Sequence, residues 1–568
     1  MNNDYSHKMK KFQTLTLLGE SYFMLGNLDK AEQIWSKAES LIDLDLSGVD
    51  RINFHSIRAK CYFEAKIFDK ALAHLNKTRE HLYHQLERGD LNLNVWESML
   101  STWSYVDGRS IEILLTDRPS KESVEEAMVI AEAAKGRMLS KMMSEFSTNE
   151  NPYKLSLDYH REALKKIRTW ILQQSGRKVI SLFADENGLA IFIIKEDGSI
   201  SGHWIDEVKY QQFLTDNYEP WDSIMSTSTV DPKLWNIVGT LTEFLLDNIG
   251  ELLWRSDTDL VKGGEDLVII PHRLFRNLPL SHCKLPGGKR LSDCFERVTI
   301  FTSMYDLSVS LERSKIYLPS TNRSALVDPD GSLPFARLEG LLISGITNTK
   351  IGPDVTASAI RELLSIQGVV LLSSHGNFNI YNAWQSSINT ADGKIELSKL
   401  LLDHIKINSD LVVLGVCEVG RSRRTYSDEP IGFPGVLIQA GVPAVVAPMW
   451  RVDDFSSLLF LTTFFQLVSK NIHLASALQK TAIWLRQLKA KEVLYIIATF
   501  EDQIKTIDQS TDTNNTLKYI KNQLNNMKLW LQTQPSSLCP FRSPLDWASF
   551  QITGFVPIKP SITHGDLK

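Results

Sequence analysis

Two short apolar runs constrain this chain more than anything else in it: Leu411-Val-Val-Leu-Gly-Val-Cys417 and Gly368-Val-Val-Leu-Leu-Ser-Ser-His375. Runs of this length, rich in Val and Leu, read as strands buried on both faces of a parallel sheet. Such a sheet needs helices on both faces, so this part of the chain has to be α/β. Ligands of open α/β sheets sit just beyond the carboxyl ends of the strands. The first run ends in Cys417-Glu418 and the second in His375-Gly376. Two neighbouring parallel strands would bring that thiol and that imidazole to one edge, as a thiol nucleophile and its base require. A lone Cys at a strand end is more often a small buried hydrophobe, and a lone His a satisfied polar residue. The pairing, one crossover apart, is what favours chemistry.

The rest of the composition narrows the function. At 568 residues the chain exceeds one ordinary core, and two to four domains are expected. It is 43% hydrophobic and 23% charged, a globular profile, and its net charge of -5 gives no general drive toward nucleic acid or anionic lipid. The amino terminus, Met-Asn-Asn-Asp-Tyr-Ser-His, lacks the apolar core of a signal peptide, and no run of apolar residues is long enough to span a bilayer. The five cysteines are scattered, odd in number and without a CxxC pair, so neither a disulfide framework nor a metal site is expected; a reducing cytoplasm is. No cofactor is expected: no phosphate-binding GxxxxGK[ST] occurs, and no GxGxxG follows a strand.

In chain order, residues 12 to about 145 read as helix. Leu18-Gly19, Tyr22, Gly26, Ala31, Trp35 and Ala38 follow the small/large spacing of a helix–turn–helix repeat. The pattern returns, with Tyr22-Phe23 matched by Tyr62-Phe63 and Asp29-Lys30-Ala31 by Asp69-Lys70-Ala71, and a third copy runs from Trp103-Ser-Tyr105 to Glu125-Glu126-Ala127. These resemble tetratricopeptide repeats with long linkers, arrays whose concave surface usually binds a peptide or protein. Ala131–Leu139 reads as a helical connector, Ser147–Pro152 as a polar break and 156–174 as a further helix. Short β-rich runs follow at 178–183, 188–194 and 199–205, with Asp197-Gly198 as a hairpin signal. Strands at 266–270, 297–302 and 324–327 then alternate with helices at about 207–217, 233–253 and 354–365. Residues 339–344 begin a helix or extended segment. Past His375 the reading is a long loop (378–394), helices near 398–404 and 435–440, a strand at 444–450, helices at 455–468 and 474–488, a helical insertion at about 495–535, and an edge strand within 546–554.

Five blocks in this order resemble the CHAT domain: Ser373-Ser374-His375-Gly376, Val412–Glu418, Gly441, Met449-Trp450-Arg451-Val452-Asp453-Asp454 and Trp547-Ala548-Ser549-Phe550. CHAT peptidases group with caspases, separase and gingipain. Pro271, Leu274 and Leu278-Pro279-Leu280 also resemble the family, in its usually non-catalytic half. The chain departs from the family in having Val419 where a Thr often follows Cys-Glu, and Gly420 sits one residue later than in the caspase signature. The resemblance implies a helical repeat array at 1–150, a linker at 151–177, a non-catalytic half at 178–320 and a catalytic, caspase-like α/β half at 321–557.

It also implies a cysteine peptidase. Cys417 would attack a peptide carbonyl, His375 would serve as acid and base, and the backbone N–H groups of Gly376 and Cys417 would hold the oxyanion. Relatives read one substrate side chain, P1, in a charged pocket. Asp453 and Asp454, backed by Glu418 and Asp428, would favour Arg or Lys there. A helix cap is the competing role for Asp453 and Asp454. Trp384 and Phe378 could form a rim. The repeats are expected to hold the protease inactive until a regulatory protein or ribonucleoprotein binds them; such proteins resemble bacterial defence effectors, some CRISPR-associated and some cleaving gasdermin-like substrates. No direct nucleic-acid or membrane binding is expected. A catalytically silent docking module is the alternative.

Overall fold

In a computed structural model, residues 2–41, 48–88, 93–137, 156–225, 235–254, 262–314, 322–343, 348–379, 382–402, 407–421, 431–508 and 514–555 are described. The amino-terminal region is three helical hairpins: α1 (Asn2–Met24) with α2 (Leu28–Glu39), α3 (Gly48–Glu64) with α4 (Phe68–Arg88), and α5 (Leu93–Thr116) with α6 (Lys121–Ala133). The spacing read from the sequence has a packing reason. A side chain at Gly19 would collide with the Trp35 ring, so the glycine admits the indole between α1 and α2. Trp35 in turn meets Tyr62 of the next hairpin, centroids 5.9 Å apart. The first two turns close with the same bonds: Gly26 N to Phe23 O and Asn27 N to Tyr22 O, then Lys66 N to Phe63 O and Ile67 N to Tyr62 O. The expected polar break at 147–152 and the end of the connector, 138–139, lie outside the described residues.

After α7 (Leu157–Leu172) one eleven-stranded sheet organises the rest. Its strands are β1 (Arg177–Ala184), β2 (Gly188–Ile194), β3 (Ile200–Asp206), β4 (Gly264–Ile270), β5 (Phe295–Ile300), β6 (Arg323–Val327), β7 (Asn348–Ile351), β8 (Val369–Ser374), β12 (Leu411–Val416), β13 (Ala444–Pro448) and β14 (Phe550–Gly554). A small second sheet holds β9 (Gly376–Asn377), β10 (Ser387–Thr390) and β11 (Gly393–Glu396). The main order is β3-β2-β1-β4-β5-β14-β13-β12-β8-β6-β7. β1, β4, β5 and β14 run parallel to their neighbours in that series, and so do β13, β12, β8, β6 and β7. The two series are joined by the antiparallel pair β13–β14. Their carboxyl ends therefore point to opposite edges of the molecule.

Three expectations are corrected. The strand at 550–554 is not an edge: β14 is the sixth of eleven, and every residue in it is buried. The stretch 378–394 is not all loop, since it carries β10 and enters β11, paired from Ser387–Glu396 to Thr390–Gly393. Residues 339–342 of the segment at 339–344 belong to a helix that begins earlier, at Pro334, whose fixed φ suits a first helical turn, and residue 344 lies outside the described residues. The helical insertion is a hairpin, Ala490–Asp508 and Asn514–Gln532, that drives Ile497, Phe500, Ile504, Leu517, Ile520 and Leu524 into the main core. Among the described residues no helix is long and apolar enough to cross a membrane.

Candidate active site

β8 and β12 are parallel neighbours in a register that sets Ser374 opposite Val416. His375 and Cys417 are the next residue of each strand, so the two emerge side by side at one carboxyl edge. The chain turns at once after Cys417, with Glu418 at φ +63°. Two glycines make the turn possible. A Cβ on Gly420 would lie 2.6 Å from the Pro448 carbonyl oxygen, which instead accepts a hydrogen bond from Gly420 N at 2.9 Å. A Cβ on Gly376 would lie 2.3 Å from Val416 Cγ1 and 3.1 Å from the Cys417 carbonyl oxygen. The backbone after His375 thus rests directly on the backbone that carries Cys417.

The small sheet holds the imidazole's backbone. β9 pairs with β10, Asn389 N donates to His375 O at 2.9 Å, and Ser374 Oγ donates to Asn389 O at 2.9 Å. The His375 ring is exposed, and its Nε2 lies 2.8 Å from Ser332 Oγ, which donates to Asp330 Oδ1 at 2.5 Å. Sequence reasoning missed Ser332 and Asp330. The turn signal at Asp330-Gly331 marks a loop after β6 but does not say which strand end the loop reaches.

Burial pushes the Cys417 thiol up, and the Glu418 carboxylate adds to this. The backbone N–H of Val452 and the Arg451 guanidinium pull the other way. Among the described residues Cys417 and His375 are not hydrogen-bonded to each other.

The acids expected around a P1 pocket are divided. Asp453 caps the helix Asp454–Ser469, its Oδ1 accepting from Phe455 N at 3.1 Å and Ser456 N at 3.0 Å. Asp454 Oδ2 accepts from Phe335 N at 3.3 Å, and burial with its acidic neighbours Asp453 and Asp328 raises its carboxyl to about 7. Glu418 faces Arg451 at 3.6 Å. Asp428 lies outside the described residues. Below them Glu339 is buried, accepting from Ser373 Oγ at 2.5 Å and Ser457 Oγ at 3.1 Å, and burial raises it to about 8. Phe378 cannot serve as a rim, being buried in the core beneath the Arg421 guanidinium; Trp384 is half-buried against the same core cluster. Among the described residues no cluster of His, Cys, Asp and Glu could hold a metal ion.

A family model described as the CHAT domain matches residues 238–555. No curated protein matches the sequence. Two structures of the Saccharomyces cerevisiae separase–securin complex, at 3.0 Å and 2.6 Å, match 96% of this chain and 47% of theirs, with TM-scores of 0.52 and 0.51 and identities of 10% and 11%. The chain thus spans about half the length of the chains it matches there. The Arg-specific cysteine proteinase gingipain R is matched over 62% of this chain and 76% of its own, at 11% identity and a TM-score of 0.30. The fold is a helical amino-terminal region followed by a caspase-like α/β sheet.

Proposed function

Because the chain belongs to the CHAT domain family, we propose that it is a cysteine endopeptidase with Cys417 as nucleophile and His375 as acid and base. The single observation that carries this reading is the register of β8 and β12, which brings the two strand ends together. The thiol gives its proton to the imidazole, and the thiolate attacks the peptide carbonyl carbon. The C–N bond breaks as the imidazolium protonates the leaving amine, and water, activated by the same imidazole, hydrolyses the thioester. Gly376 and Cys417 are the proposed oxyanion donors.

The proposed P1 residue is Arg or Lys. Asp454 and Glu418 are its proposed acceptors, with Asp453 placed as the cap of the helix Asp454–Ser469. A cation entering beside Asp454 would stabilise a carboxylate that burial now disfavours. We further propose that a protein partner governs the enzyme through the repeats of residues 1–150. The separase of the matched structures is bound to securin, which makes such control a reasonable model. A role in bacterial defence is the physiological setting we favour.

The test is a P1-varied peptide library with wild type, Cys417→Ala and His375→Ala. Cleavage after Arg or Lys is expected, abolished in Cys417→Ala and reduced about 100-fold or more in His375→Ala. Cleavage that survives Cys417→Ala would sink the reading. A silent docking module is the second reading; the raised thiol and the absence of a Cys417–His375 bond among the described residues favour it. It predicts that Cys417→Ala leaves partner binding and function intact.

A further inference from the structure

We propose that Asp330 and Ser332 are a positioning pair that fixes the ring and the tautomer of His375. The inference rests on the reading of His375 and Cys417 as the reacting pair. Ser332 Oγ has one proton to give. An ionised Asp330 can only accept, and its Oδ1 lies 2.5 Å away, so the proton points there. The hydroxyl oxygen then offers a lone pair to His375 Nε2 at 2.8 Å, and Nε2 must carry the hydrogen. Nδ1 is left as the free base, the atom that would take the Cys417 proton. Once it does, the imidazolium lies one hydroxyl away from a carboxylate. The Ser332 hydroxyl and backbone N–H hold that carboxyl below its ordinary range, and the nearby His375 charge does the same.

The loop that presents the pair is fixed at both ends. Asp328 stands at φ +53°, and its Oδ1 accepts from Leu333 N at 2.9 Å while Oδ2 meets Arg337 Nε at 3.1 Å. Asp328 N donates to Ser373 O at 2.9 Å, which ties the loop to the strand that ends in His375. Ser332 N donates to the same Asp330 Oδ1 at 3.1 Å, so hydroxyl and carboxylate keep their mutual geometry. A ring as exposed as His375 has little packing to orient it; this pair supplies the orientation.

The experiment follows the rate of Cys417 alkylation by iodoacetamide between about pH 5 and 11 in the full chain, resolved by peptide mass spectrometry. It needs no peptide substrate. Wild type is compared with Ser332→Ala, Asp330→Asn, the hydroxyl-keeping Ser332→Thr, and His375→Gln. The other charges facing the thiol, Glu418, Arg451 and Asp454, are common to all. A weaker imidazolium stabilises the thiolate less. The curve is therefore expected to move up by about half a pH unit to one unit in Ser332→Ala and Asp330→Asn. It should return in Ser332→Thr and move furthest in His375→Gln. Peptide hydrolysis by Ser332→Ala should lose roughly tenfold in kcat with KM nearly unchanged. Curves for Ser332→Ala and Asp330→Asn that overlay wild type while His375→Gln shifts would overturn the pair alone. A His375→Gln curve that also overlays wild type would overturn the reacting pair and its positioning pair together. A Ser332→Ala protein that fails to fold leaves Asp330→Asn to decide, since that change keeps side-chain volume.

Discussion

Behind the strand that ends in His375 lie carboxyl groups that burial has made reluctant to ionise, Glu339 and Asp328 among them. The Glu339 carboxyl is raised from 4.5 to about 8, chiefly by burial, with Asp454 adding to the shift. The folded chain therefore holds a proton that the unfolded chain has released between those two values. The stability this contributes is complete below pH 4.5 and is lost as pH rises through about 8. At 1.36 kcal/mol per unit the effect is at most about 5 kcal/mol. Glu339→Gln keeps an uncharged group of the same shape there, its amide oxygen accepting from one of the Ser373 and Ser457 hydroxyls and its NH2 donating to the other. Its unfolding free energy should match wild type near pH 4 and exceed it above pH 8, as denaturant titrations at the two pH values would show. Equal pH slopes would refute the assignment. At this scale the juxtaposition of His375 and Cys417 was legible, because each ends an apolar run and register does the rest. Ser332 was not, since its contact spans two strand ends and leaves no local pattern. Nor could the sequence decide whether Asp453 caps or recognises; the backbone N–H groups of Phe455 and Ser456 take it as a cap.

Among the elements, β14 has most to say about how the two halves cohere. Local sequence shows a short apolar strand near the end of the matched region, and edge or centre is a matter of long-range pairing that no local pattern encodes. The structure inserts it between β5 and β13, with Phe550 stacked on Phe460 at a centroid separation of 4.5 Å. An edge strand would tolerate truncation of that ring. A central one should not, and Phe550→Ala is expected to cost about 3–5 kcal/mol in chemical denaturation. A loss below about 1 kcal/mol would mean the strand is not bearing core packing. The β10–β11 hairpin was missed for a different reason. Its strands are four residues long and include Ser, Asn and Thr, although Asp392-Gly393 at its tip is a hairpin signal that could have revealed it.

At the scale of the whole molecule, the question is how a helical array could control a site on the far side of the sheet. The array is anchored to the first half. Lys135, following α6, is fully buried against Glu132 at 2.6 Å, Ser181 Oγ at 2.8 Å and Ile270 O at 3.2 Å, while Glu132 accepts from Met304 N at 2.7 Å. Arg273, just past β4, donates to Ser104 Oγ at 2.7 Å. Ile270, Arg273 and Met304 all lie at the carboxyl ends of β4 and β5, and those ends face away from Cys417 because β13 and β14 are antiparallel. With the array docked, His375 is exposed and Cys417 is only partly buried. Control by the array would then have to pass through the sheet, across β5, β14 and β13, rather than by covering the site. Removing Lys135 leaves Glu132 as a buried charge without its partner, so Lys135→Ala should destabilise the chain by about 3–5 kcal/mol. The paired change Glu132→Gln with Lys135→Met should recover most of that. If control runs through the sheet, iodoacetamide should reach Cys417 in the intact chain at a rate within a few-fold of that in Lys135→Ala, while peptide turnover differs between them and returns in the paired variant. Strong protection of Cys417 in the intact chain that vanishes in Lys135→Ala would instead put part of the array over the thiol.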